Sequence, residues 1–212
     1  PSHLAAALML ERHARASGDP QAAQRAVETL AHQTGDPVLK GLLLGEMALD
    51  REASGDVDGA IDALEQAVTL PLARWRLVDW LERIARRNGR NAELVKALEA
   101  KAAMAAAIAR GEDHGQSSGT FAVRRFAEPD EARVHAVALW HEAARLRLVD
   151  GEAETALGDL DRALELRSSD PVLRQQHMLA AEMVGDTERA TEDARVLVEA
   201  GVSGPFAAAL QF

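Results

Sequence analysis

Six arginines fall between Arg74 and Arg90, where only Asp79 and Glu82 oppose them. Arg76, Asp79, Arg83, Arg86 and Arg87 follow one another at steps of mainly three and four residues, so a helix here carries them along one stripe. The guanidinium is planar and binds carboxylates through two parallel N–H bonds. A stripe of this kind suits the recognition of an acidic peptide. The same charges could instead be a solvated face, paired with acids of a neighbouring element. Trp75 and Trp80 are five residues apart and do not share a helix face, which leaves one of them for a groove or an edge.

A second cluster is Phe121, Arg124, Arg125 and Phe126, two aromatics around a basic pair. It lies in Gly111–Pro129, a stretch rich in glycine and serine that reads as a loop. Such a segment serves as a docking motif, folds back as a plug, or is a tolerated insertion. Other chemistry is poorly supplied. His141-Glu142-Ala143-Ala144-Arg145 has an arginine where the zinc-protease helix motif needs its second histidine. The seven histidines are scattered and cysteine is absent, so the sequence offers no metal-ligand set, disulfide or thiolate nucleophile. Gly111 and Gly115-Gln116-Ser117 lack the lysine that completes a phosphate loop. No nucleophile–base pair emerges, and the expectation is a non-enzyme without cofactor.

The elements that must position these residues follow from composition and rhythm. Apolar residues are 47% of the 212-residue chain but aromatics only 3%. The apolar mass is mostly Ala, Leu and Val, and the first two are strong helix formers. This predicts an all-α protein with thin, closely packed layers. The net charge of −10 argues against anionic partners such as nucleic acid or a membrane surface. The apolar run Ala102–Ala109 is eight residues, far short of the roughly 20 needed to span a bilayer. Pro1-Ser2-His3 has no signal-peptide character, and the missing initiator Met leaves room for an excised domain. Compartment is not indicated.

Turn glycines recur as a beat. Gly55 stands 34 residues before Gly89, Gly151 stands 34 before Gly185, and Gly18 stands 37 before Gly55. A fixed period in this range is the mark of stacked helical hairpins. Five hairpins are expected: 3–17 with 20–33, 38–54 with 57–70, 72–87 with 91–110, 130–149 with 152–167, and 171–184 with 187–200. The beat skips between Gly89 and Gly151, where the surplus falls on 111–129. The expected organisation is repeats over 1–110, an inserted loop at 111–129, repeats over 130–200, and a tail or cap at 201–212.

Reading outward from each glycine identifies the kind of hairpin. Five residues on stand Ala23, Ala60, Leu94, Ala156 and Ala190; twelve on stand Leu30, Ala67, Lys101, Ala163 and Leu197. Leu44 and Trp140 lie eleven residues before their glycines, Ala48 and Ala144 seven before. This pattern resembles the tetratricopeptide repeat, strongly in hairpins two and four and more loosely in one and three, where Glu11 and Glu82 replace a small residue. The resemblance covers nearly all of the chain outside 111–129 and the tail. It implies an α-solenoid, a right-handed superhelix of about five antiparallel helix pairs. It also implies a concave groove lined by the first helix of each pair, which holds a peptide or helix of a partner protein.

Carried over position by position, that groove contains Arg12 in repeat one and Leu42, Gly45, Leu49 and Glu52 in repeat two. Repeat three supplies Arg76, Asp79, Arg83, Arg86 and Arg87. Repeat four supplies Ala138, His141, Arg145, Leu148 and Val149, and repeat five supplies Val172, Gln175, Leu179, Glu182 and Met183. The family's clamp for C-terminal carboxylates needs Lys and Asn where this chain has Gly45, Leu49, Asp79 and Arg83, so that ligand is not implied. The expected partner is another protein or peptide. The alternatives are self-assembly into a homo-oligomer, through an apolar end that includes Phe206, Leu210 and Phe212, and a regulatory domain cut from a larger protein.

Overall fold

The computed structural model describes residues 9–10, 12–13, 16–70, 75–112 and 126–201. Phe121, Arg124, Arg125, Phe206, Leu210 and Phe212 lie outside the described residues, as does Glu11. Among the described residues the chain is all helix, in antiparallel pairs, and has no strand. Helices α1 (Pro20–Gln33), α2 (Pro37–Ser54), α3 (Val57–Val68) and α4 (Trp75–Arg87) come first. They are followed by α5 (Asn91–Ala109), α6 (Pro129–Val149), α7 (Ala153–Leu166), α8 (Pro171–Val184) and α9 (Thr187–Glu199). Residues 9, 10, 12, 13, 16 and 17, also helical, precede α1.

The Gly-Asp beat works through two adjacent backbone devices. At the end of α2, Gly55 takes φ +84°, a left-handed conformation that costs an L side chain energy, and its N–H returns to the Arg51 and Glu52 carbonyls. Asp56 then caps α3, its carboxylate accepting the Gly59 N–H at 2.9 Å. Asp19 and Asp186 do the same for α1 and α9, accepting from Ala22 at 2.9 Å and Arg189 at 3.1 Å. The Asp-Pro entries act alike: Asp36 caps α2 at Val38 and Asp170 caps α8 at Val172, with Pro at the first helical turn. These helix boundaries are thus set within four residues of sequence.

Packing follows the register expected of tetratricopeptide-like hairpins. The small positions are closed: Ala60, Ala67, Ala156 and Ala163 are fully buried, which lets paired helices approach closely. Leu64, Leu98 and Leu160, nine residues after their glycines, are equally buried. Burying each such leucine contributes about 1.5–3 kcal/mol. Hairpin three keeps the register despite its exceptions, since Leu94 and Lys101 are both buried where a small residue is usual. Trp140 is buried as its core position requires. Successive helices pack on one another, α1 on α2, α2 on α3 and α3 on α4, and likewise α6 on α7, α7 on α8 and α8 on α9. The chain divides into two compact units, 1–97 and 98–212, with the boundary inside α5.

Candidate groove surface and its charged walls

Apolar residues that stay open to solvent sort by helix. Leu42 and Leu49 are exposed on α2, Val134 and Val149 on α6, and Val172, Leu179, Met183 and Val184 on α8. All of these are first helices of their hairpins, as is the helical stretch that exposes Met9 and Leu10. Among the described second helices only α9 exposes a large aliphatic, Val198. Leu42, Leu49, Val149, Val172, Leu179 and Met183 are groove positions named from the repeat pattern. Val149, at 80% exposure, is the most open of the six.

In the first unit this surface deepens into a cavity of about 330 Å³ between α2 and α4. Its walls include Val38, Leu42 and Leu49 of α2 and Leu77 and Trp80 of α4, with Leu70 and Ala67 from the end of the α3 segment. The floor is open because α2 carries Gly41 and Gly45, one turn apart. A Cβ on Gly45 would stand 2.9 Å from a Leu77 methyl, whereas one on Gly41 would meet Leu70 and Leu77 at 3.6 and 3.9 Å, ordinary contact. Trp80 is a fixed wall. Its indole N–H donates to Glu52 at 2.8 Å, and the Arg83 guanidinium lies 5.8 Å from its ring centre.

The arginine stripe of α4 is only partly neutralised. Arg83 and Arg87 share the single carboxylate of Glu52, at 3.6 and 4.0 Å, and Arg86 pairs with Glu82 on its own helix at 3.1 Å. Asp79, half-buried on the same helix, is itself engaged. Arg76 is exposed, lines the cavity, and has no ion-pair partner among the described residues. The face paired with acids, expected as the alternative, is seen at Arg83, Arg86 and Arg87.

The remaining site residues are dispersed. His141 on α6 bonds Gln176 on α8 at 2.8 Å, tying together two first helices of the second unit. Arg145, one turn on, and Arg12 are exposed. Phe126 is buried at 9% exposure, its ring 5.3 Å from that of His135.

Sequence reasoning missed two buried charge clusters in the second unit. Asp159 on α7 has no exposed surface and accepts from Arg147 at 3.0 Å and Arg162 at 3.1 Å, while Arg147 also reaches Glu99 of α5 at 2.7 Å. Burial pushes the Asp159 carboxyl up to about 7; the Arg147 and Arg162 charges pull against this and Glu99 reinforces it. Asp193 on α9 accepts from Arg174 at 2.8 Å and is hydrogen-bonded to His177 Nδ1, whose Nε2 lies 3.0 Å from Asp161. With a carboxylate at each ring nitrogen, the imidazolium is the form that donates to both. Burial alone would lower the His177 pKa, but the bonds and charges of Asp193 and Asp161 outweigh it and raise it. Asp193 is lowered, because the His177 and Arg174 bonds outweigh its burial. A signal existed: both acids stand eight residues after a turn glycine, where the earlier hairpins have Ala26, Ala63 and Ala97.

No family model and no curated protein matches the chain. Among solved structures it is similar to MamA protein, at 14% identity over 93% of this chain and 91% of that one, with a TM-score of 0.38. It is also similar to a putative kinesin light chain from Podosopora anserina with nearly identical TPR-like repeats, at 20% identity over 94% and 95% with a TM-score of 0.36. A third is a tetratricopeptide repeat protein from Parabacteroides merdae, at 11% identity over 94% and 80% with a TM-score of 0.38. The tetratricopeptide-like form of this chain rests on its own hairpins, with their turn glycines, aspartate caps and buried alanines in register.

Proposed function

We propose that this chain is a protein–protein interaction scaffold that holds a peptide or helix of a partner along its first helices, with a preference for acidic segments at α4. One observation carries the reading: the exposed large aliphatics gather on first helices, while among the described second helices only Val198 of α9 is exposed. Exposed apolar surface costs free energy in water unless it is covered, and α2 in the first unit and α8 in the second each carry such residues. The guanidiniums of Arg83 and Arg87 share one carboxylate, and Arg76 has no ion-pair partner among the described residues, so α4 can accept further acid.

The test places a photo-crosslinker at Leu49 or at Leu179, and at Gln66 on the exposed face of α3 as a control. The partner identified at Leu49 or Leu179 is then purified and titrated. Leu49→Glu with Leu179→Glu should weaken it at least tenfold, Arg83→Glu with Arg87→Glu should weaken an acidic partner further, and Gln66→Glu should leave affinity unchanged. Equal affinity of all variants, or crosslinks at Gln66 alone, would overturn the reading.

A further inference from the structure

We infer that the α2–α4 cavity is a two-point subsite, which takes one bulky apolar side chain of an acidic partner segment and holds a neighbouring carboxylate on Arg76. This rests on the groove reading above and adds what the groove selects. Three independent features converge on it. The cavity is walled by aliphatic side chains and the edge-anchored ring of Trp80. Its depth comes from two glycines, so the room exists because α2 lacks side chains at Gly41 and Gly45. At its rim Arg76 has no ion-pair partner among the described residues, while every other arginine of α4 has one.

Charge decides the occupant. Arg76 stands on the α4 wall, so an incoming carboxylate is drawn to that side of the cavity. That attraction orients the segment as well as selecting it. A free C-terminal carboxylate is not required, since an Asp or Glu side chain offers the same two oxygens to a guanidinium. The anchor supplies the apolar contact, and Trp80 loses little on binding because Glu52 already fixes its orientation.

A random-peptide phage library selected on the intact chain tests this. The expected consensus is a bulky apolar residue with Asp or Glu close beside it. Gly41→Leu fills the cavity from a backbone position where a Cβ already fits, and should lower the affinity of a selected peptide at least tenfold. Arg76→Glu, at an exposed position that folding does not depend on, should do the same and should shift reselection toward Lys-containing peptides. Circular dichroism melts of both variants should match the parent. A neutral or basic consensus, no enrichment over the starting library, or full affinity in both variants would overturn the proposal. A partner lost on Leu49→Glu with Leu179→Glu but retained by Gly41→Leu and Arg76→Glu leaves the groove reading standing and removes the subsite.

Discussion

Arg51 in α2 and Arg147 in α6 each stand four residues before a turn glycine, Gly55 and Gly151. Each reaches across its hairpin to a carbonyl eight residues on, that of Gly59 at 2.9 Å and of Thr155 at 3.2 Å. Each also holds a glutamate of the preceding second helix, Glu28 at 2.6 Å and Glu99 at 2.7 Å. The two hairpins then differ in what they bury. Eight residues past the glycine, hairpin two buries Ala63 and hairpin four buries Asp159, and hairpin five repeats the choice with Asp193. The first unit fills this layer with close apolar contact. The second unit sets Arg147, Arg162 and Arg174 against buried acids, keeps Arg145 exposed on α6 and leaves aliphatic residues open to solvent on α8. Similar hairpins can therefore present different surfaces when one inward residue decides where the cations go.

The largest test of this contrast exchanges the layer. Asp193→Ala removes the buried carboxylate shared by Arg174 and His177 and should cost about 3 kcal/mol, read as lost hydrogen-exchange protection in α8 and α9. The reciprocal Ala63→Asp should also destabilise its unit, since Arg51 is at hand but Gln66 stands where Arg162 would complete the pair. A tolerated Asp193→Ala would break the comparison.

Next comes pH. His177 has a raised pKa, so its contribution is complete below the ordinary 6.5 and is lost as pH climbs through the raised value. The folded state also holds a proton on Asp159 between the ordinary 3.8 and about 7, so stability falls across that interval as pH rises. Asp193 is lowered; its contribution is present above 3.8 and fades as pH falls through its folded value. Protection in α8 and α9 should therefore decline as pH rises past 6.5, while α2 and α3, with Ala63 in the corresponding layer, should respond less. His177→Gln should flatten the alkaline decline. A parallel decline in both units would remove the assignment.

A smaller difference lies at the caps. Asp56 holds the Gly59 N–H, whereas Glu152, its counterpart in hairpin four, makes no side-chain cap bond. Asp56→Ala should cost about 1 kcal/mol of helix stability. Glu152→Ala should change stability by less than about 0.5 kcal/mol in a urea titration. Least of all, Arg195→Ala removes exposed pairs to Glu192 and Glu199 and should leave the melting curve unchanged.

Much of the fold was legible because its signals are local. A glycine that tolerates left-handed backbone, followed by an aspartate that caps the next helix, acts within four residues of chain, so helix ends such as Pro171–Val184 could be read directly. Small residues at fixed offsets announced the close helix contacts, and the repeat pattern picked out Leu49, Leu179 and Met183, which stay exposed on first helices. Which arginine is free could not be read this way. Arg83 and Arg87 find Glu52 some thirty residues earlier in the chain, and Arg76 finds no such acid among the described residues. The cavity is equally silent in sequence, since Gly41 and Gly45 become a floor only when Leu77 and Trp80 stand opposite. The buried acids are the sharpest case. Asp159 and Asp193 look like any charged helix residue until neighbouring helices strip away their water and supply the cations, and desolvation belongs to the assembled layer rather than to the residue. Sequence determined where each helix starts, stops and turns its apolar face. Tertiary structure alone decided which charges are buried against one another and which stay at the surface.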